Sequence, residues 1–261
     1  MDFKKLIILS LISLVFINFL GCSTKNYSKD LKTKIIGVDD TFVPMGYKND
    51  KGEIVGFDID LAKVVFRELD YKVKFQIIDW SMKEVELNNK NIDAIWNGYS
   101  INNERKKVVS FSKPYLKNKQ VIIVLKDSNI NSKKDLKGKT IAVQEGSSAY
   151  EAIEKDKKLL NQLKDKSLIM FDSNSDVFMD VEFKRSDALV VDEVMAKYYL
   201  KKRGENKFRI LSDDFGSEEY AVALRKSDKK LLEEINRVLD KINKNDTLEI
   251  ISKKWFGKRE K

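Results

Sequence analysis

The chain has 261 residues, 42% of them hydrophobic, enough for one large domain or two modest ones. Lys and Arg number 50 against 41 Asp and Glu, a formal charge of +9. They are scattered without an aromatic-interleaved stripe, which argues for a solvated surface outside a cell and against nucleic acid. With no His and one Cys, the commonest metal ligand and general base are missing, and an intrachain disulfide or a thiolate cluster is excluded.

In chain order, Lys4-Lys5 precede an apolar run, Leu6 to Leu20, broken only by Ser10, Ser13 and Asn18. Its 15 residues suit a signal-peptide core and fall short of the roughly 20 that a membrane span needs. Gly21-Cys22 follows at once, then a polar stretch without periodicity from Ser23 to Lys32, which reads as a tether. Lys34 to Val38 is a short strand. Asp39 to Met45 is a shaped loop with two acids, an aromatic and Pro44. Asp50-Lys51-Gly52-Glu53 makes a hairpin-like turn. Gly56-Phe57-Asp58 opens a helix with Asp58 as its expected N-cap, Asp60 in the first turn, and Leu61, Val64, Val65 and Leu69 on its core face. Val73, Phe75 and Ile77 alternate as a strand, and Trp80 stands beyond it before a short helix through Leu87.

The stretch Asn91 to Arg105, NIDAIWNGYSINNER, organises the chain. Ile92, Ala94, Ile95 and Trp96 read as a buried strand. It breaks at Asn97-Gly98, where the missing Cβ lets a ligand approach the backbone. Ser100 offers a hydroxyl and Arg105 a fork of donors suited to a carboxylate; the alternative is a solvated turn with Arg105 on a surface helix. Gln120 to Leu125 is a continuous apolar strand. A second unit then leads through Asp135–Lys139 to a strand, Thr140 to Val143, and to Gln144-Glu145-Gly146-Ser147-Ser148 opening a helix. Free N–H groups and the helix dipole favour an anion at such a loop, although Ser is also a common N-cap. Leu168 to Phe171 is a strand and Ser175 to Lys184 a helix. Ala188 to Val191 is a buried strand ending in Asp192-Glu193, where Asp192 could take an ammonium group or cap the helix from Glu193 to Lys202. Tyr220 to Leu224 is a last strand. Leu231, Leu232, Ile235, Val238, Leu239 and Ile242 share one face of a scaffold helix, and Leu248, Ile251 and Trp255 continue into another. Strands alternating with helices in two repeated units give an α/β fold with two lobes and a cleft.

Asp93 to Arg105, followed by Phe111-Ser112-Lys113-Pro114-Tyr115, resembles the signature D-x-I-x-x-G-x-(S/T)-I-(T/S)-x-x-R and F-(S/T)-x-P-Y of the polar amino-acid family of bacterial extracellular solute-binding proteins, the receptors of ABC importers. Asn102 stands where that family usually has Thr. The resemblance runs from about Lys34 to Gly257. Gly21-Cys22 likewise resembles a lipobox, whose Cys takes a diacylglycerol, though Phe19 and Leu20 depart from the usual residues before it. Two acyl chains give stable anchoring where one is marginal. The resemblance implies a type II periplasmic-binding-protein-like fold: two doubly wound α/β lobes joined by a two-strand hinge. Residues 1–21 would be a signal peptide and 22–32 the lipidated tether. Residues 33–117 with 219–261 would form lobe 1, and 118–218 lobe 2, with crossings around Tyr115–Gln120 and Gly216–Ala221.

It implies that Arg105, helped by Ser100, Gly98 and the loop at Ser147 and Ser148, grips an α-carboxylate. Asp192 takes the α-ammonium, and Asp39, Phe42, Trp80 and Gln144 line the rest of the pocket. Asp39, Asp40 and Glu86 would suit a basic side chain. Phe42, Trp80 and Trp96 would also tolerate glutamine or cystine. The expected protein is a monomeric receptor on the outer face of the membrane, anchored through Cys22, that delivers a free polar amino acid to a permease with a separate ATPase. No enzymatic activity, metal, cofactor or nucleic-acid partner is expected. A sensor protein of the same fold and a cell-wall-acting enzyme are the alternatives.

Overall fold

Short apolar strands alternate with amphipathic helices over the part of the chain that this computed structural model describes, residues 31–203 and 206–257. The expectations for a signal peptide, a lipidated Cys22 and most of the tether fall outside the described residues. In order, the first elements are β1 (Thr33–Val38), β2 (Thr41–Phe42), β3 (Gly46–Lys48), β4 (Ile54–Val55), α1 (Phe57–Glu68), β5 (Lys72–Ile77), α2 (Lys83–Asn88), β6 (Ala94–Ile95), α3 (Asn103–Val108) and β7 (Ser110–Phe111). There follow β8 (Leu116–Leu125), β9 (Ile141–Gln144), α4 (Ser148–Lys155), α5 (Lys157–Leu160), β10 (Ile169–Phe171), α6 (Asn174–Glu182), β11 (Ala188–Asp192), α7 (Glu193–Arg203), β12 (Phe208–Tyr220), β13 (Ala223–Leu224), α8 (Lys229–Lys244) and α9 (Thr247–Phe256).

Two five-stranded sheets carry two lobes. The first has the order β5-β1-β6-β13-β7, with β1 parallel to β5 and β6, and β13 antiparallel to β6 and β7. The second has the order β10-β9-β11-β8-β12, with β9 parallel to β10 and β11, and β8 antiparallel to β11 and β12. The central strands of the second sheet are buried on both faces, which is why Val121–Val124, Ile141–Val143 and Leu189–Val191 read as unbroken apolar runs. The stripe of α8 packs inward as its spacing predicts, with Leu231, Ile235, Val238, Leu239 and Ile242 buried.

Strands β8 and β12 form the two-strand connection. They pair antiparallel from Phe208 opposite Leu125 to Tyr220 opposite Leu116, with two register shifts between Ile210 and Ser217. At the far end Tyr220 bridges Ser100, and the Ile101 N–H donates to the Glu219 carbonyl, so the connection ends beside the signature stretch.

Local expectations need three corrections. The strand read across Ile92–Trp96 is only Ala94–Ile95. The strand expected from Tyr220 to Leu224 is broken at Ala221-Val222, where β12 ends before β13 starts. Asp58 is not the cap of α1. That place belongs to Gly56, at φ 147°, where a Cβ would lie 2.1 Å from the Met45 carbonyl oxygen. Asp58 instead turns inward and is fully buried.

Candidate functional site

The turn after β6 is built from the inside out. The Asp58 carboxylate accepts the Gly98 N–H at 2.6 Å and the Tyr115 hydroxyl at 2.9 Å. Burial pushes its pKa up from 3.8 to about 7, against the pull of those two hydrogen bonds. Gly98 sits at φ 56°, and a Cβ there would meet Phe42 Cε1 at 2.0 Å. What presses on its backbone is therefore the Phe42 ring. Asn102 caps α3 by accepting the Arg105 N–H at 2.8 Å, which fixes the start of the helix that carries Arg105.

Arg105 is only 4% exposed, so the surface-helix alternative fails. Its Nη1 donates to the Ser100 carbonyl and to Ser148 Oγ, both at 3.1 Å, and its Nη2 to the Gly146 carbonyl at 3.2 Å. Glu151 on α4 pairs with Nη2 at 3.0 Å, and the guanidinium stands 4.4 Å over the Tyr99 ring. Three hydrogen bonds and the Glu151 pair thus occupy both Nη nitrogens. Among the described residues, Arg105 Nε and Ser100 Oγ are buried without a hydrogen-bond partner. Lys83 reaches the same loop: its buried ammonium donates to the Trp80 and Gly146 carbonyls, each at 2.9 Å. Burial, then the charge of Arg105, pushes its pKa down to about 8.

Asp192 lies at the end of β11. One oxygen accepts from Asn118 Nδ2 at 2.7 Å, from Gln120 Nε2 at 2.9 Å and from the Tyr220 hydroxyl. Both amides also donate to Glu218 Oε1, at 2.6 and 2.7 Å. Burial, and then the charge of Glu218, raises the Asp192 pKa well above the ordinary value.

Asp39 marks a third corner. One oxygen takes the Thr41 N–H and hydroxyl, each at 2.7 Å; the other takes Gln144 Nε2 at 2.5 Å and Asn174 Nδ2 at 3.5 Å. Asn174 also donates to Gln144 Oε1 at 2.9 Å, which sets the orientation of the Gln144 amide. All four donors are neutral, and among the described residues no cation pairs with Asp39. Burial raises its pKa.

Asp39, Phe42, Trp80, Gly98, Arg105, Gln144, Ser147, Ser148 and Asp192 line one cavity between the lobes. Of the expected site residues only Ser100 is set back, with its hydroxyl buried behind Arg105. Ser147 spends its side chain capping α4. About 20 Å³ of the cavity is open to a water-sized sphere, room for about one water, because the two lobes touch directly. Three expected contributors lie elsewhere. Trp96 is a core residue packed on Phe66 and Tyr115. Asp40 pairs with Lys48 at 3.6 Å, and neither it nor Glu86 lines the cavity.

Sequence reasoning missed Glu151, Asn174, Lys83 and the Asn118–Gln120–Glu218–Tyr220 cluster around Asp192. Glu151 had a usable signal, since it follows Ser148 at helical i,i+3 spacing and so shares its face.

The profile of the bacterial extracellular solute-binding proteins, family 3, matches residues 35–258. The arginine-binding extracellular protein ArtP of Bacillus subtilis is 32% identical, over 97% of this chain and 98% of that protein. The L-cystine-binding protein TcyJ of Escherichia coli K12 is 29% identical, over 89% of this chain and 85% of that one. Among solved structures, an ABC uptake transporter substrate-binding protein from Streptococcus pneumoniae with bound histidine is similar at a TM-score of 0.84 and 39% identity. That match covers 87% of this chain and 93% of that one.

Proposed function

Since the chain belongs to family 3 of the bacterial extracellular solute-binding proteins, we propose that it binds a free basic amino acid between its lobes and delivers it to an ABC permease with a separate ATPase. One observation carries the reading. A buried Arg from one lobe and an Asp from the other line the same small cavity, as a zwitterion requires. Arg105 holds the α-carboxylate through its Nε–H, the one guanidinium nitrogen without a partner among the described residues. The N–H groups of the loop at Ser147 and Ser148 assist it, with Ser100 set behind the guanidinium. Asp192 takes the α-ammonium. Because the ligand is gripped from both sides, binding selects the closed form. Such a ligand needs the lobes to part on entry, given the small cavity between them.

The preference for a basic side chain rests on Asp39, a buried carboxylate on the cavity wall that has only neutral donors. A guanidinium or ammonium would give that charge the partner it lacks. Phe42 and Trp80 supply flat walls beside it. In this reading, residues 33–117 and 219–261 make up lobe 1 and residues 118–218 lobe 2. Residues 1–21 are the signal peptide, and a diacylated Cys22 anchors the monomer to the outer face of the membrane.

The test uses the chain from Ser23 onward, which keeps the whole compact unit that begins at Lys32. After unfolding and refolding to strip carried-over ligand, it is titrated with arginine, lysine, histidine, glutamine and cystine. A hundredfold excess over Kd should add about 2.7 kcal/mol of stability. Arginine or lysine should give the largest rise in melting temperature. A larger rise with glutamine or cystine would refute the role of Asp39, and no rise with any amino acid would refute the receptor. Labelling with a clickable palmitate analogue, lost in Cys22→Ala, checks the anchor.

A further inference from the structure

We infer that Glu151, together with Asn102, is an interlobe latch: it joins the two lobes and holds Arg105 in its binding pose without touching the ligand. The inference rests on the receptor reading and adds to it a positioning residue.

Each Glu151 oxygen has its own partner on the other lobe. Oε2 accepts from Asn102 Nδ2 at 2.6 Å, and Oε1 pairs with Arg105 Nη2 at 3.0 Å. Asn102 and Arg105 are a cap and a first-turn residue of the same short helix, three positions apart, so they meet the carboxylate side by side. Asn102 has two jobs, one for each end of its amide. Its oxygen caps α3 by taking the Arg105 N–H. That bond turns its nitrogen outward across the cleft. Ser or Thr would cap with the same oxygen but would bring no second arm.

Glu151 itself is set by α4, whose cap Ser147 accepts the Tyr150 N–H. On its own helix it has one distant ion pair among the described residues, Lys155 at 4.0 Å. Both cross-lobe contacts vanish once the lobes part, so Glu151 acts only on the closed form. It also leaves the Nε edge of Arg105 free, since Arg105 Nε has no partner among the described residues.

The experiment compares wild type, Glu151→Ala, Asn102→Thr and the double variant by calorimetric titration, stopped-flow dissociation and small-angle scattering without ligand. Asn102→Thr keeps a capping oxygen and loses only the arm. Glu151→Ala should weaken every amino acid that the wild type binds by roughly tenfold, through faster dissociation and with the ranking unchanged. Asn102→Thr should do the same to a smaller degree, and the double variant should be no worse than Glu151→Ala. Ligand-free Glu151→Ala should show a larger radius of gyration than wild type.

Binding within about twofold of wild type together with an unchanged radius would overturn the latch. So would tighter binding by Glu151→Ala, which would make Glu151 a competitor for the carboxylate site. A wild type that binds no amino acid would instead sink the receptor reading. The scattering comparison would still decide the latch.

Discussion

Arg105→Lys separates the charge of the anchor from its geometry. The substitution keeps one positive charge and removes the planar fork. In the structure that fork makes three hydrogen bonds, pairs with Glu151 at 3.0 Å and stands over Tyr99. An ammonium has three donors on a single atom and cannot satisfy the Ser100 and Gly146 carbonyls and Glu151 while also reaching a ligand carboxylate. Leaving a buried charged partner poorly paired costs about 2–5 kcal/mol, or roughly 30- to 5000-fold in Kd. Calorimetric titration of the refolded variant with the preferred ligand reads the loss directly. Circular dichroism melting confirms that the variant is folded. A folded Arg105→Lys that binds within about threefold of wild type would show that charge alone suffices, and the role of the planar guanidinium would be wrong.

Three further outcomes follow from geometry and charge. Gly98→Ala forces a Cβ against Phe42 at 2.0 Å and an L side chain into φ 56°, so stability should fall by about 2–4 kcal/mol in urea titration, and Phe42→Ala in the same chain should restore part of it. Asp39→Asn should weaken arginine or lysine by about 2–5 kcal/mol while leaving glutamine nearly unchanged, a split that titration with both ligands measures. The Asp58 carboxyl is raised from 3.8 to about 7, so the folded chain keeps a proton that the unfolded chain gives up. Its contribution is full below pH 4 and disappears as pH rises through 7, an effect of at most about 4 kcal/mol. Melting scans should show stability falling across that window, and Asp58→Asn should flatten the fall.

The residues alone leave Arg105 open between a carboxylate fork and a surface helix, and Asp192 between an ammonium partner and a helix cap; the ordered motifs of the family resemblance are what single out these positions and the Ser147-Ser148 loop together. The two-lobed layout was legible from the alternation of strands and helices. The latch and the Asp39 network were not, because their contacts span 49 residues between Asn102 and Glu151 and 135 between Asp39 and Asn174. No local pattern marks a pairing across a cleft. Asp58 was misread for a different reason. An acid in the first turn of a helix is ordinarily a solvated dipole partner, whereas this one is fully buried and meets the Gly98 N–H and the Tyr115 hydroxyl. Trp96 was placed on a wall for its size, whereas the position before the break faces the interior of the first lobe.

The order of strands in the two sheets bears on how the chain assembles as it emerges N-terminus first. The second sheet draws all its strands from residues 116–220. The first sheet needs β13, residues 223–224, as the strand that joins β6 to β7. Until that late segment arrives, β1, β5 and β6 have an open apolar edge, so the half that starts first finishes last. Pairings of such high contact order form slowly and expose sticky intermediates meanwhile. A truncation just before Ala223 should therefore leave the second sheet able to form and the first one aggregation-prone, a vulnerability that belongs to the chain's assembly and not to the folded protein.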